Sequence, residues 1–256
     1  MSFLEIKNGA KSFSSEKGEI NVLKDINLSM EEGEFVSIVG YSGSGKTTLV
    51  SMIAGLIRPD QGKITLAGKE IVAPGPDRGV IFQNYSLLPW MNVYENVFLA
   101  VDAVSQNLSP KEKKEKTESY INLVKLGAAM SKKPSELSGG MRQRVSVARG
   151  LAMEPKVLLL DEPFSALDAL TRSSLQDELQ RIWTETKKTI IMITNDVDEA
   201  ILLANRIFPL TKGPGATLGD EIPVHISRPR STRKLSLEPG YKEVKKKIVD
   251  FLIKNL

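Results

Sequence analysis

The chain has 256 residues, 41% hydrophobic and 26% charged, with a formal net charge of +4, an ordinary composition for a globular protein able to bury a substantial core. It has no cysteine and one histidine, His225, in a loop-like stretch, which excludes disulfides, thiolate metal sites and zinc clusters. A signal-like leader and a long uncharged apolar run are both missing from the sequence, so an intracellular protein that does not itself cross a bilayer is expected.

The first thirty residues read as strands, Phe3–Lys7 and Val22–Met30, with a turn over Ser15–Gly18. The apolar run from Phe35 to Val39 then enters Gly40-Tyr41-Ser42-Gly43-Ser44-Gly45-Lys46-Thr47, which fills the pattern G-x-x-x-x-G-K-[ST]. Glycines at 40, 43 and 45 let the backbone turn tightly and approach phosphates without a side chain in the way. The following helix, with Leu49, Met52, Ile53 and Leu56 on one face, turns its N-terminus and dipole toward an anion. Lys46 is placed to reach β- and γ-phosphates and the Thr47 hydroxyl to ligate magnesium, so the ligand indicated is a nucleoside triphosphate with Mg²⁺.

Beyond the phosphate loop, Gly62–Gly68 reads as a short hairpin arm and Gly79–Gln83 as a brief strand. Composition shifts between about Met91 and Ser135, within a segment of about residues 91–153, where Ser109 and Pro110 signal a helix start before charges and an apolar stripe of Tyr120, Ile121 and Val124. That segment is expected to be a helical lobe inserted in an α/β core. Within it, Leu137-Ser138-Gly139-Gly140-Met141 again places a hydroxyl and two glycines at a helix start, open toward an anion. The core resumes at Val157–Leu160, apolar throughout as buried parallel strands are, and ends in Asp161-Glu162. An aspartate there can hold magnesium through water, and the adjacent glutamate can act as general base on an attacking water. A helix bearing Leu175, Leu179, Ile182 and Trp183 and a strand over Thr189–Thr194 follow, and Gly and Pro become frequent after residue 213. A last amphipathic helix carries Val244, Ile248, Phe251 and Leu252. The basic excess lies late, at Arg228, Arg230, Arg233, Lys234 and Lys242–Lys247, either a plain solvated face or one turned to anionic headgroups or nucleic acid, although nothing in the chain resembles a nucleic-acid module.

Taken in order, these motifs resemble the nucleotide-binding subunit of an ATP-binding cassette (ABC) transporter, over essentially the whole chain. The resemblance implies an α/β fold: a P-loop NTPase cassette with a RecA-like core, an N-terminal antiparallel β subdomain and the inserted helical lobe. The ATPase domain would cover residues 1–212 and a short extension residues 213–256. It also implies ATP and Mg²⁺ as cofactors, a phosphate loop from Gly40 to Thr48, and Phe13 stacking on adenine unless that ring belongs to the core. Gln83 becomes the Q-loop glutamine near the metal, and Ser138, Gly139 and Gly140 the signature that serves a neighbour's nucleotide. Asp161 becomes a metal residue, Glu162 the catalytic base, and Ser165–Asp168 the D-loop. A second ATPase subunit, identical or not, is therefore an expected partner.

Where the family places a γ-phosphate-contacting histidine, this chain has Asn195. Its amide can donate a hydrogen bond but carries no proton at neutral pH, and it could instead cap the following helix. Hydrolysis either survives through Glu162, or this site is slow and the partner's is the efficient one. A regulatory ATP-holding subunit and a non-transport cassette ATPase are the alternative readings. The second of these usually has two cassettes or a long coiled coil, and this sequence has neither. Leu87, Leu88, Trp90, Met91 and Tyr94 form either a groove for a permease helix, within Gln83–Asn96, or part of the chain's own core. The run Leu87–Val97 is similar to the nitrate/sulfonate/taurine branch of importers, and Ile193–Ala200 with Pro209–Pro214 to its nitrate subgroup, which has cyanate and bicarbonate relatives. That resemblance implies a peripheral subunit on the cytoplasmic face of the inner membrane. It would drive uptake of a small anion, nitrate above all, with a substrate-binding protein as an indirect partner and no nucleic acid.

Overall fold

The computed structural model describes residues 2–15 and 18–256, so the middle of the expected Ser15–Gly18 turn lies outside the described residues. In chain order the strands are β1 (Leu4–Ser15), β2 (Gly18–Met30), β3 (Phe35–Val39), β4 (Gln61–Leu66), β5 (Lys69–Glu70), β6 (Arg78–Ile81), β7 (Val157–Asp161), β8 (Thr189–Thr194), β9 (Arg206–Pro209) and β10 (Ile222–Pro223). The helices are α1 (Lys46–Ala54), α2 (Val93–Val104), α3 (Pro110–Leu123), α4 (Gly139–Ala152), α5 (Ala169–Thr186), α6 (Val197–Leu203) and α7 (Tyr241–Lys254). No helix among the described residues is long and apolar enough to cross a membrane. The chain folds into two compact units: the segment up to Gly75 joined by Lys187–Leu256, and Pro76–Thr186 between them.

In the first unit, β2-β1-β4-β5 form an antiparallel sheet. Its long hairpin reaches further than the sequence alone indicates, because register shifts between Ile6 and Ser12 let β1 bend and continue. Beside it lies a parallel group in which β3 pairs with both β8 (Val36 opposite Ile191) and β9 (Val36 opposite Arg206). All residues of β3 and β8 are buried, as expected of parallel strands covered on both faces. Helix α1 stops earlier than its apolar pattern suggests. Gly55 takes a left-handed backbone (φ 77°), and a Cβ there would lie 2.5 Å from the Ala73 carbonyl oxygen. Leu56 falls outside the helix and is half exposed.

In the second unit β6 runs parallel to β7, with Val80 opposite Leu159, and α2, α3 and α4 pack on one another as a helical lobe. The start of α3 is a capping box, Ser109 and Glu112 each accepting from the other's backbone amide, with Pro110 at the first position.

Candidate nucleotide site

Strand β3 delivers the chain to the phosphate loop, and the loop's shape follows from its glycines. Gly43 and Gly45 have φ of 78° and 96°, and a Cβ on Gly45 would sit 2.9 Å from Val22 Cγ1. A Cβ on Gly40 would lie 2.9 Å from Ser44 Oγ. The ammonium of Lys46, 4% exposed, curls back to donate to the carbonyls of Gly40 (3.0 Å) and Tyr41 (2.8 Å). The Ser44 hydroxyl is buried with no hydrogen-bond partner. A buried hydroxyl with no partner among the described residues, a buried lysine turned back into the loop and a first helical turn free of acidic residues together fit a phosphate chain. Tyr41 and Thr48 are half-buried, while Ser42 and Thr47 are exposed.

Phe13 is 43% exposed and stands opposite Ile20 in the β1–β2 hairpin, so it is not a core aromatic. The Lys11 ammonium lies 5.5 Å from its ring centroid and is fixed there by Asp60 at 2.7 Å. Asn195 follows β8 directly and is exposed. It does not cap α6. Asp196 does, accepting from the amides of Asp198 (2.9 Å) and Glu199 (3.1 Å), because a carboxylate one residue later reaches those amides.

The second unit carries the acidic pair. Asp161 ends the buried strand β7 and is 6% exposed. Glu162 turns into the left-handed region (φ 44°), a conformation that costs a non-glycine residue about 1–3 kcal/mol and is found at functional sites. Its carbonyl accepts from the Ser165 amide (3.3 Å) and hydroxyl (3.0 Å), and the same Ser165 Oγ accepts from Gln83 Nε2 at 3.0 Å. Gln83 is thereby joined to the backbone of Glu162 through one serine hydroxyl. Ser138 caps α4, its Oγ accepting from Met141 N at 3.3 Å. A Cβ on Gly140 would press to 2.5 Å from Thr171 Cγ2, and one on Gly139 to 3.3 Å from Leu167. Asp168 accepts from the Leu170 and Thr171 amides, and its bonds to Thr171 hold its carboxyl below the usual carboxylate range.

Three residues on which this geometry depends have no role that the sequence assigns. Arg149 donates to the carbonyls of Ser86 (2.7 Å) and Tyr85 (3.2 Å), both at positive φ just after Gln83. Arg142 lies 5.7 Å from the Tyr85 ring centroid. Asn96, fully buried, accepts from the Leu88 amide (2.9 Å) and donates to the carbonyls of Leu88 (3.2 Å), Met91 (3.0 Å) and Asn92 (3.0 Å). The loop it staples presents Trp90, 66% exposed, while Leu87, Leu88, Met91 and Tyr94 are half-buried. A buried Asn on the apolar face of α2 is the one available sequence signal, and it is weak.

A P-loop, a signature-type helix start and a strand-end Asp-Glu on an α/β frame define a nucleotide-binding cassette. The chain belongs to the ABC transporter family, whose model matches residues 23–165, and it is an ABC ATPase domain. It is similar to the bicarbonate transport ATP-binding protein CmpC of Synechocystis, 53% identical over 251 residues, 98% of this chain but 38% of CmpC. The chain thus spans well under half of that relative's length. It is 46% identical to the bicarbonate transport ATP-binding protein CmpD and 44% identical to the nitrate import ATP-binding protein NrtD, both of Synechococcus elongatus. Those matches cover 98% of this chain and 90% and 91% of the two relatives. Among solved structures it resembles a dimeric post-hydrolysis state of the ATP-binding cassette MJ0796 bound to ADP and Pi, with a TM-score of 0.77 at 31% identity. That likeness covers 87% of this chain and 99% of the other.

Proposed function

We propose that this chain is the ATP-hydrolysing subunit of an importer for a small monovalent oxyanion. The observation that carries the reading is the phosphate loop, with its glycine-shaped backbone, orphan Ser44 hydroxyl and inward-curled Lys46. Gly40–Thr48 would hold the phosphates of ATP, with Thr47, Gln83 and Asp161 around Mg²⁺, which supplies charge neutralisation when bound. Lys46 exchanges two carbonyl partners for phosphate oxygens. Phe13 offers an exposed ring for adenine. Glu162 takes the proton of the attacking water, and the Ser165 bridge ties Gln83 to its backbone. Asn195 donates its amide to the γ-phosphate. Ser138, Gly139 and Gly140 serve the nucleotide of a second cassette, and Gln83–Asn96 receives the permease. The cassette would occupy residues 1–212, with 213–256 as an extension, at the cytoplasmic face of the membrane.

Nitrate is the cargo favoured by the resemblance of Ile193–Ala200 and Pro209–Pro214. Bicarbonate is the second reading, favoured by the names of CmpC and CmpD. Phosphate release by the purified chain, beside Glu162→Gln and Asn195→His, tests the catalytic part. The expected outcome is turnover that Glu162→Gln reduces by about 10²-fold or more while ATP still binds. ATP binding without turnover, restored by Asn195→His, would instead assign a slow regulatory subunit. Uptake of labelled nitrate and of labelled bicarbonate by cells lacking the gene separates the two cargoes.

A further inference from the structure

Helix α7 buries Tyr241, Val244, Ile248 and Leu252 and packs on α6, β9 and β10. Its first turn grips α6. The Tyr241 hydroxyl donates to Asp198 Oδ1 at 2.7 Å, and Lys245 Nζ donates to Asp198 Oδ2 at 3.0 Å and to the Tyr241 oxygen at 2.9 Å. These bonds raise the Lys245 pKa above the ordinary lysine value, so its charge is kept through the physiological range. Its last turn is fixed too. The Asn255 carbonyl accepts from the Lys212 amide at 3.3 Å, and the next residue, Gly213, lies on the phosphate loop, where its Cβ would meet Gly43 O at 3.4 Å.

The first of these attachments bears on catalysis. Helix α6 has only seven residues, too few to hold its own first turn. That turn is fixed from inside by the Asp196 cap and from outside by the grip on Asp198. Asn195 stands between the end of β8 and that cap, so its direction is set by the same turn.

We propose that Tyr241 and Lys245 are positioning residues for hydrolysis, which hold Asp198 and thereby fix the turn that carries Asn195. The role rests on the proposed function of Asn195 at the γ-phosphate, and it makes the extension after residue 213 part of the catalytic apparatus. Tyr241→Phe combined with Lys245→Met keeps the ring and the alkyl stem in place while removing the grip. In this variant kcat is expected to fall about three- to ten-fold, the rate equivalent of about one hydrogen bond, with the Kd for a fluorescent ATP analogue within about two-fold of native. Placed on Asn195→Ala, the pair should cost nothing further. Losses that multiply would overturn the route through Asn195. Amide hydrogen exchange of residues 195–199 should accelerate in the variant without nucleotide, a readout independent of turnover. Unchanged exchange overturns the clamp even in a chain that does not hydrolyse ATP, and absent native turnover with accelerated exchange counts against the proposed catalysis alone.

Discussion

Asn96 is the residue whose loss should expose how the Trp90 loop is built. Its side chain makes four hydrogen bonds to the backbone of Leu88, Met91 and Asn92 from a fully buried position. At a net value of about 1 kcal/mol each, truncation to Ala removes about 4 kcal/mol. The Asn92 carbonyl already accepts from the Asn96 amide, and water can reach part of the half-buried loop, which brings the expected loss to about 2–3 kcal/mol. Asn96→Asp is the sharper variant. It is the same size and still accepts from Leu88, yet it turns a carboxylate oxygen toward three carbonyls, so it should cost at least as much as Ala. Urea denaturation gives the stability. Acrylamide quenching in a Trp183→Phe background gives the mobility of Trp90, the other tryptophan being buried. A loss under about 1 kcal/mol for Ala, or an Asp variant as stable as native, would refute the reasoning that this one amide organises the loop.

Gly45→Ala should weaken binding of an ATP analogue about ten-fold or more. It forces a side chain into φ 96° and against Val22 and Leu23, a strain of about 1–2 kcal/mol before any loop shift. An unchanged Kd would mean the loop can move without penalty. Arg149→Met removes two charge-assisted bonds to Tyr85 and Ser86 and should lower the unfolding free energy by about 2–3 kcal/mol; a change below about 0.5 kcal/mol would show those carbonyls are satisfied otherwise. Asp60, hydrogen-bonded by Lys11 and the Ser12 amide, has its carboxyl held below the usual range. A depressed folded pKa gives stability that is present above the unfolded value of about 3.9 and lost as pH falls through the folded one. Asp60→Asn should therefore flatten the acid limb of the stability curve below about pH 4, and an unaltered limb would count against the Lys11–Asp60 pair.

What was legible in the sequence is what local chemistry dictates. The glycine-rich turn between β3 and α1, the capping box at Ser109 and the buried β8 are each written in a few consecutive residues, and the structure places these elements where the pattern does. What was not legible depends on distant neighbours. Leu56 reads as helix face, but the backbone of Ala73 beside Gly55 ends α1 first. The cap that Asn195 could supply as its alternative role is supplied by Asp196, whose carboxylate has the better reach. Nothing local marks Arg149 or Asn96, because their partners are backbone groups that any sequence supplies. The grip of α7 on Asp198 joins residues more than forty positions apart, and periodicity shows only that α7 has an apolar face.

The pairing of β3 with β8 and β9 also sets an order of assembly. Both partners of this wholly buried strand are made late, β8 about 150 residues after it. At about 5–20 residues per second, a ribosome leaves β3 without a neighbour for about 8–30 seconds. The antiparallel hairpin of β1 and β2 can close at once, but the strand that feeds the phosphate loop cannot be sheathed until residue 209 exists, nor the loop backed by Leu210 and Gly213 until a moment later. A nascent chain therefore carries the complete phosphate-loop sequence long before it can grip a nucleotide. Over that interval a strand destined for the core relies on the ribosome and on chaperones for cover.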